Sequence, residues 1–165
     1  MATLASPESI HALRDAWEDL PSTQLSPTLE PDWFESAVHA FHDQADLRVV
    51  VMRDSGRVVA VAPLVIEREH GTRLVIPGAA TLYEPGGWVY TSVDTLGALV
   101  TEVMAMGYPV VLHRVMEPAD FVAATPGLVT AGALKRIRPA PPSFSLAIRG
   151  DWEAYLATLP ARTFK

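Results

Sequence analysis

The 165-residue chain contains no cysteine. That single absence removes disulfides, thiol nucleophiles and thiolate metal sites together. Positive charge is also in short supply: 13 lysines and arginines stand against 19 aspartates and glutamates, a formal net charge of −6. A broad nucleic-acid-binding face does not fit that balance. No apolar run approaches the roughly 20 residues a bilayer crossing needs, and the longest, Val58 to Ile66, is interrupted by Pro63. The opening residues Met1 to Pro7 carry neither the basic nor the apolar stretch of a secretion signal. These absences read as a cytoplasmic domain with no nucleic-acid partner and no membrane span. Several mechanism-bearing motifs are missing too: the G-x-x-x-x-G-K-[ST] phosphate loop, the G-x-S-x-G elbow, H-E-x-x-H, and the dinucleotide G-x-G-x-x-G.

What remains is a globular composition, 49% hydrophobic and 19% charged, which is too apolar for a disordered chain. A chain of this size buries roughly 70% of its unfolded surface and needs no staple. Residues Pro7 to Leu20 predict a first helix: Ser6 caps it, Pro7 suits its first turn, and Ile10, Leu13, Trp17 and Leu20 recur at helical spacing. After a proline-containing connection, Pro31 to Asp43 predicts a second helix with Trp33, Phe34, Val38 and Phe41 as its apolar stripe. The period then changes. Leu47 to Arg53 and Arg57 to Ile66 are valine-rich strands joined through Asp54-Ser55-Gly56, a hairpin signal, and Thr72 to Ile76 extends them into a three-strand antiparallel meander. Pro63 predicts an edge, bulge or irregular end.

Pro77 to Ser92 reads as an irregular surface loop rich in glycine and aromatics, followed by a helix over Val93 to Met106 that Gly107 and Pro109 stop. Tyr108 to Val115 predicts a buried strand, Pro118 to Thr125 a short helix, Leu134 to Arg138 and Ser143 to Ile148 further strands, and Trp152 to Leu159 a helix capped by Asp151. The sum is a mixed α/β (α+β) fold, one mostly antiparallel sheet flanked by helices.

Four residues stand out as candidates for substrate binding. Tyr83, Glu84 and Trp88 bring a hydroxyl, a carboxylate and an indole to a loop whose Gly86 and Gly87 permit close backbone approach to a ligand. The bland alternative is a tight turn covered by two aromatics. His113, alone in an apolar strand, is either a satisfied core histidine or a fourth site residue. His39 and His42, three apart on the second helix, have the spacing of a metal pair but lack a specified third ligand, so no metal site is assigned. Lys135, Arg136 and Arg138 form the one basic cluster, suited to a phosphate, an acidic partner or a solvated strand edge. Glu67 and Glu69 flank a turn and read as solvated charge rather than as an acid–base pair.

Several local words resemble the CelD-like proteins, tandem acyltransferases of the GNAT superfamily related to the FemABX peptidyl transferases. Pro31-Asp32-Trp33-Phe34 is similar to that family's P-x-W entry, and Gly56 with Val61-Ala62-Pro63-Leu64 to its G-x-x-x-A-x-x-P-L strand pair. Pro142 to Leu146, Asp151 to Leu156 and Leu159 to Arg162 resemble the segment joining its two halves. The resemblance implies a GNAT-like twisted sheet and an acyl-CoA N-acyltransferase, with acetyl-CoA or another acyl-CoA as co-substrate and a small-molecule or amine acceptor. It further implies that residues 1–165 form one GNAT-like domain, the amino-terminal half of a two-domain protein, with 152–165 opening the connection to a second half that carries the donor site. The expected partner is that half or a second copy of the chain. No catalytic residue transfers by motif. The [Q/R]-x-x-G-x-[G/A] loop that holds the CoA pyrophosphate in GNAT domains is not matched by Gly86-Gly87-Trp88-Val89-Tyr90, so no cofactor is expected to bind tightly here. The alternative from another class is a non-catalytic GNAT-like interaction or dimerisation module.

Overall fold

A computed structural model describes residues 2–5, 11–43, 46–69, 71–116, 118–125, 134–139 and 152–158. In chain order the elements are β1 (Ala2–Ala5), α1 (Arg14–Glu18), two short 3-10 helices (Pro21–Leu25 and Pro27–Leu29) and α2 (Pro31–Phe41). Then come β2 (Val49–Asp54), β3 (Arg57–Ala62), β4 (Val65–Glu67), β5 (Arg73–Val75), the one-turn α3 (Ala79–Leu82) and β6 (Val89–Tyr90). The described part closes with α4 (Val93–Ala105), β7 (Val110–Val111), α5 (Pro118–Ala124) and α6 (Trp152–Thr158). The class is mixed α/β: helices with two small, mostly antiparallel sheets, ordered β1-β2-β3-β6 and β4-β5-β7. Among the described residues no helix is long and apolar enough to cross a membrane.

The meander predicted from sequence is present but bent. Pro63 has no N–H to donate, and the second strand breaks there into β3 and β4. The break does not shift the pairing, because Leu47–Val65 lies in the same register as Val50–Ala62, and the Arg48 N–H donates to the Leu64 carbonyl at 2.8 Å across the gap. One hairpin therefore serves two sheets. A bulge sits nearer the turn. Met52 pairs with Ala60 and Arg53 with Val58, which leaves Val59 over, and its carbonyl accepts the Thr91 N–H at 3.0 Å.

Alternation along these strands divides the core between two faces. Val49, Val51, Val61, Val65, Val75 and Val89 pack with Trp17, Leu20, Leu29, Phe34 and Val38 of the first helices. Val50, Ala60, Ala62, Leu64, Ile66 and Leu74 face the other way, under Leu96, Leu99, Val100 and Val103 of α4. The strands are apolar on both faces because both are covered by helices. Arg14 ties α1 to α2, its guanidinium bonding Asp32 and, at 3.1 Å, Glu35.

Other expectations need correction. Within the described residues the first helix is interrupted: His11 and Arg14–Glu18 are helical with a turn at 12–13, and residues 6–10, which include Ser6 and Pro7, lie outside them. Phe41, placed on the apolar stripe of α2, is exposed in its last turn. The supposed surface loop from Pro77 to Ser92 contains a helical turn and the strand β6, and Trp88, Val89 and Tyr90 are buried. The buried strand expected over Tyr108 to Val115 reduces to two half-buried residues. Residues 134–138 are exposed and form no strand. The expected strand Ser143 to Ile148 and the Asp151 cap lie outside the described residues.

Candidate functional site

The position of the site follows from a detour in the sheet. Val75 pairs with Val65 and Val89 pairs with Val61, so β5 and β6 lie along neighbouring parts of the same bent strand. The chain between them leaves the sheet as an excursion from Pro77 to Trp88. β7 runs parallel to β5 through Leu74–Val110 and Val75–Val111, a parallel pair made possible by the α4 crossover. Past Val111 the two edges part and meet again at Gly86–Val115. There the Gly86 N–H donates to the Arg114 carbonyl at 3.3 Å, and the Met116 N–H to the Gly86 carbonyl at 3.0 Å.

This geometry brings together the two segments that the sequence singled out. Arg114 makes the closest connection: its guanidinium donates to the Tyr83 carbonyl and lies over the Tyr83 ring, 4.6 Å from the centroid. Both residues adopt the left-handed region, with φ of +60° at Tyr83 and +49° at Arg114, an uncommon conformation for residues other than glycine. Sequence reasoning missed Arg114. Its partner lies 31 residues upstream, and no local pattern announces such a contact.

The four candidates occupy different surroundings. Tyr83 is 70% exposed, and Glu84 is also exposed. Trp88 is a core side chain, 3% exposed and edge-on to Phe121 with centroids 5.5 Å apart. His113 is half-buried next to Arg114. The Trp88 indole Nε1 and the His113 Nε2 are both buried atoms without a hydrogen-bond partner among the described residues, a costly state for a polar atom. Beside the loop lies a shallow cleft lined by Trp33, Ile76, Pro77, Leu82, Glu84 and Gly86, among others, with an accessible volume of about 10 Å³, room for one water. Glu84 brings one carboxylate to its lining.

The histidine pair on α2 separates. His39 stays in the last turn, exposed, whereas His42 is the extended residue that caps the helix. Burial pulls the His42 imidazole below its usual range, opposed by the charges of Glu67 and Asp46. Among the described residues no group of three histidine, aspartate or glutamate side chains is arranged to hold a metal. Lys135, Arg136 and Arg138 are exposed, and the Lys135 ammonium bonds the Thr125 hydroxyl.

The place for a CoA pyrophosphate in the resembled superfamily is a helix amino terminus with free N–H groups; here that is the start of α4. The Ser92 hydroxyl already accepts the Thr95 N–H at 3.2 Å, and the Thr95 and Ser92 hydroxyls bond each other at 2.8 Å. Asp94 adds a negative charge to the first turn. A capped, acidic first turn repels the dianion that such a loop must attract, and these residues do not fit the group. Compared with known proteins, the chain matches no family model, no curated protein and no solved structure.

Proposed function

We propose that this chain is a GNAT-like domain that forms the acceptor side of a cytoplasmic, acyl-CoA-dependent N-acyltransferase. The observation that supports it most is the junction at Gly86–Val115, which sets the Tyr83–Trp88 loop beside the segment carrying His113. Two segments chosen separately for ligand-like chemistry become neighbours where parallel strands part. In this reading Glu84, exposed at the rim of the cleft, attracts the ammonium of an amine acceptor. Its second partner in this reading is the His113 Nε2 on the neighbouring segment, a buried nitrogen without a hydrogen-bond partner among the described residues. The acyl-CoA is held elsewhere, by a second GNAT-like half or a second copy, because the start of α4 does not suit its pyrophosphate. Kinetics of the protein joined to its donor-binding half test this. Glu84→Gln and His113→Ala should each raise the acceptor KM about tenfold, as losing one charged hydrogen bond does, and leave the acyl-CoA KM unchanged. An unchanged acceptor KM for both variants contradicts the proposal.

A second reading, a non-catalytic interaction module, is favoured by that same α4 terminus and by three exposed apolar side chains, Leu134, Ile137 and Trp152. Such side chains suit a partner surface. Sedimentation of the chain over a range of concentrations separates the two: self-association abolished by Leu134→Asp or Ile137→Asp favours the module.

A further inference from the structure

The excursion is fixed at both ends and held in the middle by one clamp. At its entry Ile76, Pro77, Gly78 and Ala79 are buried. At its exit the Thr28 hydroxyl donates to the Pro85 carbonyl at 2.6 Å, and Gly86 pairs with Val115. Between these anchors the stretch from Ala80 to Glu84 is exposed. Its helical turn is closed on itself, the N–H groups of Thr81 and Leu82 both donating to the Gly78 carbonyl, at 3.1 and 2.8 Å. Among the described residues, the hydrogen bond that reaches this stretch from outside it is the one from Arg114 to the Tyr83 carbonyl, reinforced by the stacking of guanidinium on ring.

The clamp also joins two strained residues. Gly78 and Tyr83, which bracket the turn, are both left-handed, and so is Arg114. Glycine takes that conformation without strain, but Tyr83 and Arg114 do not, and strain of this kind persists only where surrounding contacts enforce it. Here each residue supplies the contact that holds the other. The same stretch forms one wall of the cleft, through Leu82 and Glu84, facing Trp33 on α2. Fixed ends and a self-contained turn leave the strained clamp as the contact that sets where the exposed stretch lies.

We propose that residues 80–84 are a strap latched shut by Arg114, and that release of the Arg114–Tyr83 clamp swings it away from Trp33 and widens the cleft. The inference stands on the clamp geometry and does not depend on what the cleft binds. Arg114 leaves Tyr83 when a ligand offers its guanidinium a better acceptor, a carboxylate or phosphate oxygen rather than a carbonyl. Letting go relieves the strain at Tyr83.

Native-state amide hydrogen exchange tests the latch. Two variants remove the clamp while keeping a residue that tolerates a left-handed backbone: Arg114→Asn and Arg114→Gly. In both, the amides of Thr81 and Leu82 should exchange at least tenfold faster than in the parent, with rates in the β2–β3 hairpin unchanged. Tyr83→Phe, which keeps both the ring and the carbonyl, should exchange like the parent. Unchanged exchange at Thr81 and Leu82 in either clamp-less variant overturns the latch. Equal acceleration in strap and hairpin also overturns it, by showing that Arg114 supports the whole fold.

Discussion

The Ser22 hydroxyl serves both backbone polar groups of Tyr90, accepting its N–H at 2.7 Å and donating to its carbonyl at 3.1 Å. A side chain thus stands where a neighbouring strand would stand, and the outer edge of β6 is closed without another strand. The two residues are 68 apart in sequence, so this bond also ties the first 3-10 helix to the strand that ends the excursion. Ser22 is itself buried.

Removing that hydroxyl takes two hydrogen bonds from the backbone of buried Tyr90. Ser22→Ala should therefore lower stability by about 1–3 kcal/mol, the cost of losing buried hydrogen bonds. Urea unfolding measures it. A loss too small to detect would mean that water replaces the hydroxyl at this edge.

Gly78 opens the strap with φ of +71°, and a β-carbon there would lie 3.1 Å from the Leu82 Cδ1 and 3.4 Å from the Ala37 Cβ. Gly78→Ala combines a left-handed penalty of about 1–2 kcal/mol with crowding. The expected outcome is a lower thermal midpoint.

Trp88 is where a natural test misleads. From the sequence, Trp88→Ala looks like a way to weaken ligand binding while keeping the fold. Its burial against Phe121 instead predicts a loss of about 3–5 kcal/mol, as for other buried aromatics cut to alanine. Trp88→Phe is the informative change, since it keeps most of the packing and deletes the unpartnered Nε1. Its stability should fall by much less than that of Trp88→Ala, as compared by denaturant unfolding.

His42 predicts a pH effect. Its folded-state proton affinity is lowered, chiefly by burial, so the unfolded chain binds more protons than the folded one as the pH falls through and below about 6.5. Its contribution is complete above that pH and is lost towards acid. Asp46 and Glu67, which oppose the shift, are themselves paired with Arg68 and Arg73. The parent should lose more stability than His42→Gln between neutral pH and mild acid, as measured by unfolding at each pH.

The elements that rest on local pattern were legible. The Ser55-Gly56 hairpin and the valine strands follow from alternation and one turn signal. α2 begins at Pro31, and α4 spans Val93–Ala105 much as its periodicity indicates. What was not legible depends on distant pairing. The sharing of one hairpin between two sheets turns on Pro63, whose missing N–H predicts a disturbance but not its consequence. β6 is two residues long and exists because Val59 bulges out and Ser22 closes its far side. The candidate site divides in the same way. Tyr83 and Glu84 were found by composition and are exposed, whereas Trp88 carries the same loop signal yet belongs to the core. Arg114 carried no signal at all.

The central proposal is that the Tyr83–Trp88 loop and the segment around His113 form one acceptor-binding surface. A proton–nitrogen correlation spectrum of the chain, titrated with a panel of small primary amines, tests it most directly. The account predicts shifts clustered at Tyr83 to Trp88 and at Leu112 to Met116, lost in Glu84→Gln. Shifts gathered elsewhere on the molecule, or none with any amine, would contradict it.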